Sequence, residues 1–121
     1  MTSDEARLPG KTTIAPGVLL AIARLTTLNV KGVSRMSSVP GRVDRMFKKN
    51  YQHNEGVSIE VEDGAVYADL YVILKSDISV REVSQAIQRE VQRAIQDMVG
   101  MNVGGINIHV EDIDYPAETE A

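Results

Sequence analysis

In the second half of the chain, hydrophobic and polar positions follow clear periods. Val57, Ile59 and Val61 alternate with Ser58, Glu60 and Glu62, the period of a strand with one buried face. Val66, Ala68, Leu70, Val72 and Leu74 alternate with Tyr67, Asp69, Tyr71, Ile73 and Lys75. Asp63-Gly64 between the two runs is a two-residue hairpin turn. The period then changes. Val80, Val83, Ile87, Val91, Ile95 and Met98 recur at steps of three and four, which predicts an amphipathic helix over 80–99. Ser79 and Glu82 form a capping box at its start, Ile78 and Val83 stand at the positions of a hydrophobic staple, and Gly100 stops it. Ile106, Ile108 and Val110 alternate with Asn107, His109 and Glu111 in a last strand.

The first half is less regular. Pro16 suits the first turn of a helix, where its missing N–H costs nothing, and Val18, Leu19, Ile22 and Leu25 follow at helical spacing. That helix is expected to end near Asn29, with a short strand over 30–36. Ser37, Ser38, Pro40 and Gly41 are turn formers. Val43, Met46 and Phe47 are expected to line one face of a short helical turn, and residues 50–56 read as a loop.

A helix over 80–99 is ~30 Å long at ~1.5 Å per residue, about the length of a ten-residue strand at ~3.3 Å per residue, so one packs along the other. Each strand offers one apolar face and each helix one apolar stripe. The expected fold is a two-layer α+β domain over residues 11–114, with both helices on one face of a small mixed sheet of about four strands. Residues 1–10 and the acidic stretch 115–121 read as flexible tails. The other face of the sheet then carries Ser58, Glu60, Glu62, Tyr67, Asp69, Tyr71, Ile73, Asn107, His109 and Glu111 and is expected to be wet.

Composition narrows the chemistry. The 121 residues include no Cys and no Trp, which excludes disulfides, thiolate zinc sites and a cysteine nucleophile. The longest apolar run, Val18 to Ala23, falls far short of the ~20 residues that span a bilayer, and the first residues lack a signal-peptide pattern. A soluble, cytoplasmic chain is expected. Net charge is −4, unevenly spread: residues 1–56 hold nine Lys/Arg against four acids, and residues 57–121 hold four against thirteen. Arg42, Arg45, Lys48 and Lys49 are the candidate contact to an anionic surface.

Motif searches mostly end in structural explanations. Gly10-Lys11-Thr12 has Glu5 where a phosphate-binding loop needs glycine. Gly100 to Gly105 follows a helix and precedes a strand, the reverse of the order that presents a helix N-terminus to phosphate. Gly32-Val-Ser34-Arg-Met36 lacks the second glycine of a serine-hydrolase elbow. His109 shares a sheet face with Asp69, Glu60 and Glu111, but the spacing matches no metal-ligand motif; a solvated or partner-contacting face outweighs metal binding and acid–base catalysis. Tyr67, Asp69, Tyr71, Ile73 and His109 are therefore the candidate partner face. No catalytic, cofactor or metal residues are assigned. Nucleic-acid modules leave aromatic strand motifs or Gly-x-x-Gly clamps that this chain does not have, so nucleic acid is a disfavoured partner.

Several segments in order carry a resemblance: Ile14-Ala-Pro-Gly-Val18, Val30-Lys-Gly-Val33, a basic variable stretch, Gly56 to Val61, Val66 to Val72, the helix from Ser79 to Met98, Val99-Gly-Met101, and Val103 to Val110. Over residues 11–113 the chain resembles the bacterial alkaline-shock, or general-stress, protein family. The resemblance implies a non-enzymatic envelope-stress-response protein at the inner face of the cell membrane. It acts through protein–protein contacts, with a membrane-spanning anchor as the implied partner. A homo-oligomer is a further expectation, and the charge of the basic segment predicts only weak direct contact with anionic lipid. Ala15-Pro16-Gly17 departs from the acidic helix start frequent in the family, and no long charged extension is present, which counts against assembly into large arrays. An RNA- or ribosome-associated stress module using residues 35–49 is the alternative.

Overall fold

The computed structural model describes residues 9–40 and 51–116. Helix α1 spans Pro16–Leu28 and β1 Val33–Met36; β2 is Tyr51–Asn54, β3 Val57–Glu62 and β4 Ala65–Lys75. Helix α2, Val80–Ala94, runs on into a π-helical turn, Ile95–Val99, before β5, Asn102–Asp114. Arg42, Arg45, Lys48 and Lys49, the short helical turn expected around Val43, and most of both tails lie outside the described residues.

β4 organises the sheet. β5 pairs with it in parallel from Ala65↔Asn102 to Lys75↔Asp114, taking one whole edge. The other edge is shared between two antiparallel strands, β3 opposite residues 65–70 and β1 opposite residues 72–74. β2 extends the sheet beyond β3, so it has five strands rather than about four. β2 occupies the stretch expected to be a loop. Its connection to β3 is Glu55-Gly56, and both residues have positive φ, 49° and 83°, like Asp63 and Gly64 at 54° and 79° in the next hairpin. Two residues with positive φ are what the tight turn of a twisted hairpin needs. Asp-Gly announces that turn in sequence; Glu-Gly, whose glutamate gains no local hydrogen bond, does not.

Both helices pack on the same face, against Val57, Ile59, Val66, Ala68, Leu70, Val72 and Leu74. In α2, Val83, Ile87, Val91 and Ile95 are buried as their spacing requires, and Ser79 Oγ accepts from the Glu82 N–H at 3.2 Å. The ends of that stripe differ: Val80 is 44% exposed and Met98 69%. Val80 lies in the first turn, and at the other end the helix widens, with the Gly100 N–H reaching the Ile95 carbonyl at 3.2 Å. A π turn adds a residue to the repeat, which rotates Met98 off the line of Ile95.

In α1 the buried residues are Leu19, Ala23 and Thr27, while Val18 and Leu25, expected inside, face out. Short side chains at 23 and 27 let the helix lie close to its neighbours. Thr27 is tolerated at 0% exposure because its hydroxyl donates to the Ala23 carbonyl at 2.7 Å. The strand expected over 30–36 starts at Val33, after Asn29 has closed α1 through its N–H to Leu25 and Thr26 carbonyls.

Candidate functional site

Odd-numbered residues of β4 point away from the helices, and parallel pairing sets β5 beside them. The register places Gly105 next to Tyr67, Asn107 next to Asp69, and His109 next to Tyr71. From this follows a small polar network. His109 Nε2 lies 2.8 Å from Asp69 Oδ1, and Asn107 Nδ2 donates to the same oxygen at 3.2 Å. The His109 ring is stacked on Tyr71, with centroids 4.5 Å apart and planes 12° apart. At the β5 bend, a Cβ on Gly104 would overlap the Tyr67 ring; glycine there lets the ring lie on backbone.

The candidate partner face is thus brought together, but it is not uniformly wet. Tyr67 is 42% exposed, and the side chains of His109 and Asp69 are 36% and 26% exposed. Tyr71 and Ile73, offered as contact residues, are buried at 3% and 6%, and Ser58 on the same face is fully buried. Tyr71 is a support beneath His109 instead of a contact. Arg35 pairs with Ile73, and its guanidinium reaches across β4 to Asp114, Nε to Oδ2 at 3.0 Å and Nη2 to Oδ1 at 3.2 Å. Ser34 Oγ adds a bond to Asp114 Oδ2 at 2.6 Å. The guanidinium and then the hydroxyl hold the Asp114 carboxyl below its usual range, and the carboxylate raises Arg35 further. This clamp joins residues 79 apart in sequence. No spacing rule could have found it, because it depends on β1 and β5 flanking the same end of β4.

The face presents hydrogen-bonding and stacking groups. Among the described residues no group of three or more His, Asp or Glu is placed to hold a metal ion. The His109–Asp69 pair lies on a partly open sheet face, and the Ser58 hydroxyl on that face is buried away from solvent. An aromatic ring, an imidazole and a carboxylate fixed on rigid strands make a surface that can hydrogen-bond and stack without first losing much side-chain freedom. Among the described residues no helix is long and apolar enough to cross a membrane.

The fold is a small α+β domain with two helices on one face of its sheet. The chain belongs to the alkaline shock protein 23 family, whose function is cell envelope-related; the family pattern matches residues 4–115. It is 28% identical over 113 residues to the uncharacterized protein YqhY of Bacillus subtilis, covering 92% of this chain and 82% of that one. It is 36% identical over 105 residues to the uncharacterized protein Spy1535 of Streptococcus pyogenes, covering 86% and 79%. Among solved structures, MamM-CTD superposes with a TM-score of 0.47 at 12% identity, over 81% of this chain and 99% of that one, a likeness too slight to bear on function.

Proposed function

We propose that this protein serves the cell envelope as a non-enzymatic contact module, binding a protein partner through the open part of its sheet face at the inner side of the membrane. The observation that supports this reading is the Tyr67–Asp69–Asn107–His109 surface, partly exposed and already fixed by its own hydrogen bonds and stacking. Its partner is a membrane-spanning anchor or a second copy of the chain. Direct lipid binding is secondary. A basic residue near an anionic leaflet contributes ~1 kcal/mol, so Arg42, Arg45, Lys48 and Lys49 together supply about 4 kcal/mol, roughly millimolar affinity. The acid-rich second half opposes even that when it faces lipid.

Sedimentation with anionic liposomes at low and physiological salt tests this division of labour, using wild type and a variant with all four basic residues changed to Glu. Weak binding at low salt, lost at physiological salt and in the variant, is expected, because exposed charges are screened within ~8 Å. Tight salt-resistant binding by wild type alone removes the need for a protein partner. Salt-dependent retardation of RNA by wild type, absent in the variant, would favour the RNA-associated alternative.

A further inference from the structure

We propose that the outer edge of β5 accepts an extended segment of a partner protein as an added strand, one that alternates apolar and basic side chains. β5 runs for 13 residues and, among the described residues, pairs with no strand but β4. An unpaired edge offers a row of N–H and C=O groups that a second extended chain can complete. Two features close parts of this edge. Gln88 Nε2, from α2, donates to the Ile106 carbonyl at 3.0 Å. The register shift opposite Val72 and Ile73 leaves Glu111 as a bulge. Residues 107–110 stay open between them. Four positions suffice for an outer strand in this fold, since β2 pairs with β3 over four.

The chemistry of the two sides selects the occupant. Ile108, Val110 and Ile113 lie on the core face yet are only half-buried. Gln88 and Gln92 of α2 line an open cavity with residues 103–106. An added strand would set apolar side chains beside Ile108 and Val110. Beyond the open stretch, Glu111 and Asp112 are exposed, whereas Asp114 is already engaged by Arg35. Four cations against thirteen acids over residues 57–121 favour a basic strand and oppose a second β5, which would bring the same acids to the seam. The inference rests on the reading that the chain works by protein contact, but it uses the edge of β5, not the Tyr67 face.

The test is amide hydrogen exchange on the full chain, with a short peptide alternating lysine and valine as the probe. Two further peptides replace its lysines by glutamate or its valines by serine. Saturable binding of the lysine–valine peptide should slow exchange within residues 107–114 and leave β2 unchanged. The glutamate peptide should not bind. Glu111→Lys with Asp112→Lys should weaken binding by roughly tenfold at low salt, what two exposed charge pairs together supply. Tyr67→Ala should leave peptide binding unchanged, and a loss there would move the site to the sheet face. Equal protection by the serine peptide would reduce the effect to charge and overturn the added strand. So would binding without protection of β5, or protection already present because two copies pair through β5. Because the titration uses purified components, its failure is separate from failure of the envelope role.

Discussion

Truncating Ile87 to alanine tests the packing that holds the sheet face in place. Ile87 is fully buried at the middle of the α2 stripe, between Val83 and Val91, in the core shared with Leu70 and Val72. The change removes three carbons, worth about 2.4 kcal/mol at ~0.8 kcal/mol each. The cavity left behind adds to this wherever the neighbours cannot collapse, and large-to-alanine changes in cores span about 2–5 kcal/mol. Alanine's better helix propensity returns only a few tenths of a kcal/mol. A loss near 3 kcal/mol is a large fraction of the ~5–15 kcal/mol that stabilises a typical domain. Urea unfolding followed by circular dichroism should show the midpoint falling with an unchanged slope, the sign of a stability change alone. Val80→Ala, on the same stripe but 44% exposed, is the control and should cost well under half as much. Equal losses at the two positions, or a loss under about 1 kcal/mol at Ile87, would refute the orientation of α2.

Other positions give sharper local tests. Ser58→Ala should leave stability unchanged or raise it, because the buried hydroxyl has no hydrogen-bond partner among the described residues; a loss above about 1 kcal/mol in urea unfolding would show that it has one. Gly56→Ala should cost more than about 1 kcal/mol, since φ is +83° and a Cβ would run into the Ser37 carbonyl; thermal unfolding reads it. Asp114 is held below the usual carboxylate value of 3.8, so its stabilising contribution is present above that pH and is lost as pH falls through the lowered folded value. Arg35 stays charged throughout, so Asp114→Asn should flatten the acid side of the stability profile and leave its alkaline side parallel to wild type.

Local signals were enough for the hairpin over 57–75 and for α2, because an Asp-Gly turn, a Ser-x-x-Glu cap and a stripe at steps of three and four each act within a few residues. What was hidden depended on contacts the sequence does not order. Thr27 is polar by composition and core by position, because its hydroxyl is satisfied by its own helix. β2 has an unassuming Glu-Gly turn. The alternation of β4 correctly separated Tyr67, Asp69, Tyr71 and Ile73 from the core face. It could not show that Tyr71 and Ile73 are buried, since that follows from the His109 stack and from neighbours across three strands. The Asp69–His109 bond required the parallel register of β5, which no single segment states.

Site-specific photo-crosslinking in cells tests most directly whether the open sheet face is the contact surface. A photoreactive residue would replace Tyr67 on that face, and in a second strain Arg89 on the solvent side of α2. A discrete protein adduct in the membrane fraction is expected from position 67, abolished by His109→Ala, and none from position 89. Adducts from position 89 alone, or none from position 67 in folded protein that still supports the envelope, would contradict a contact role for that face.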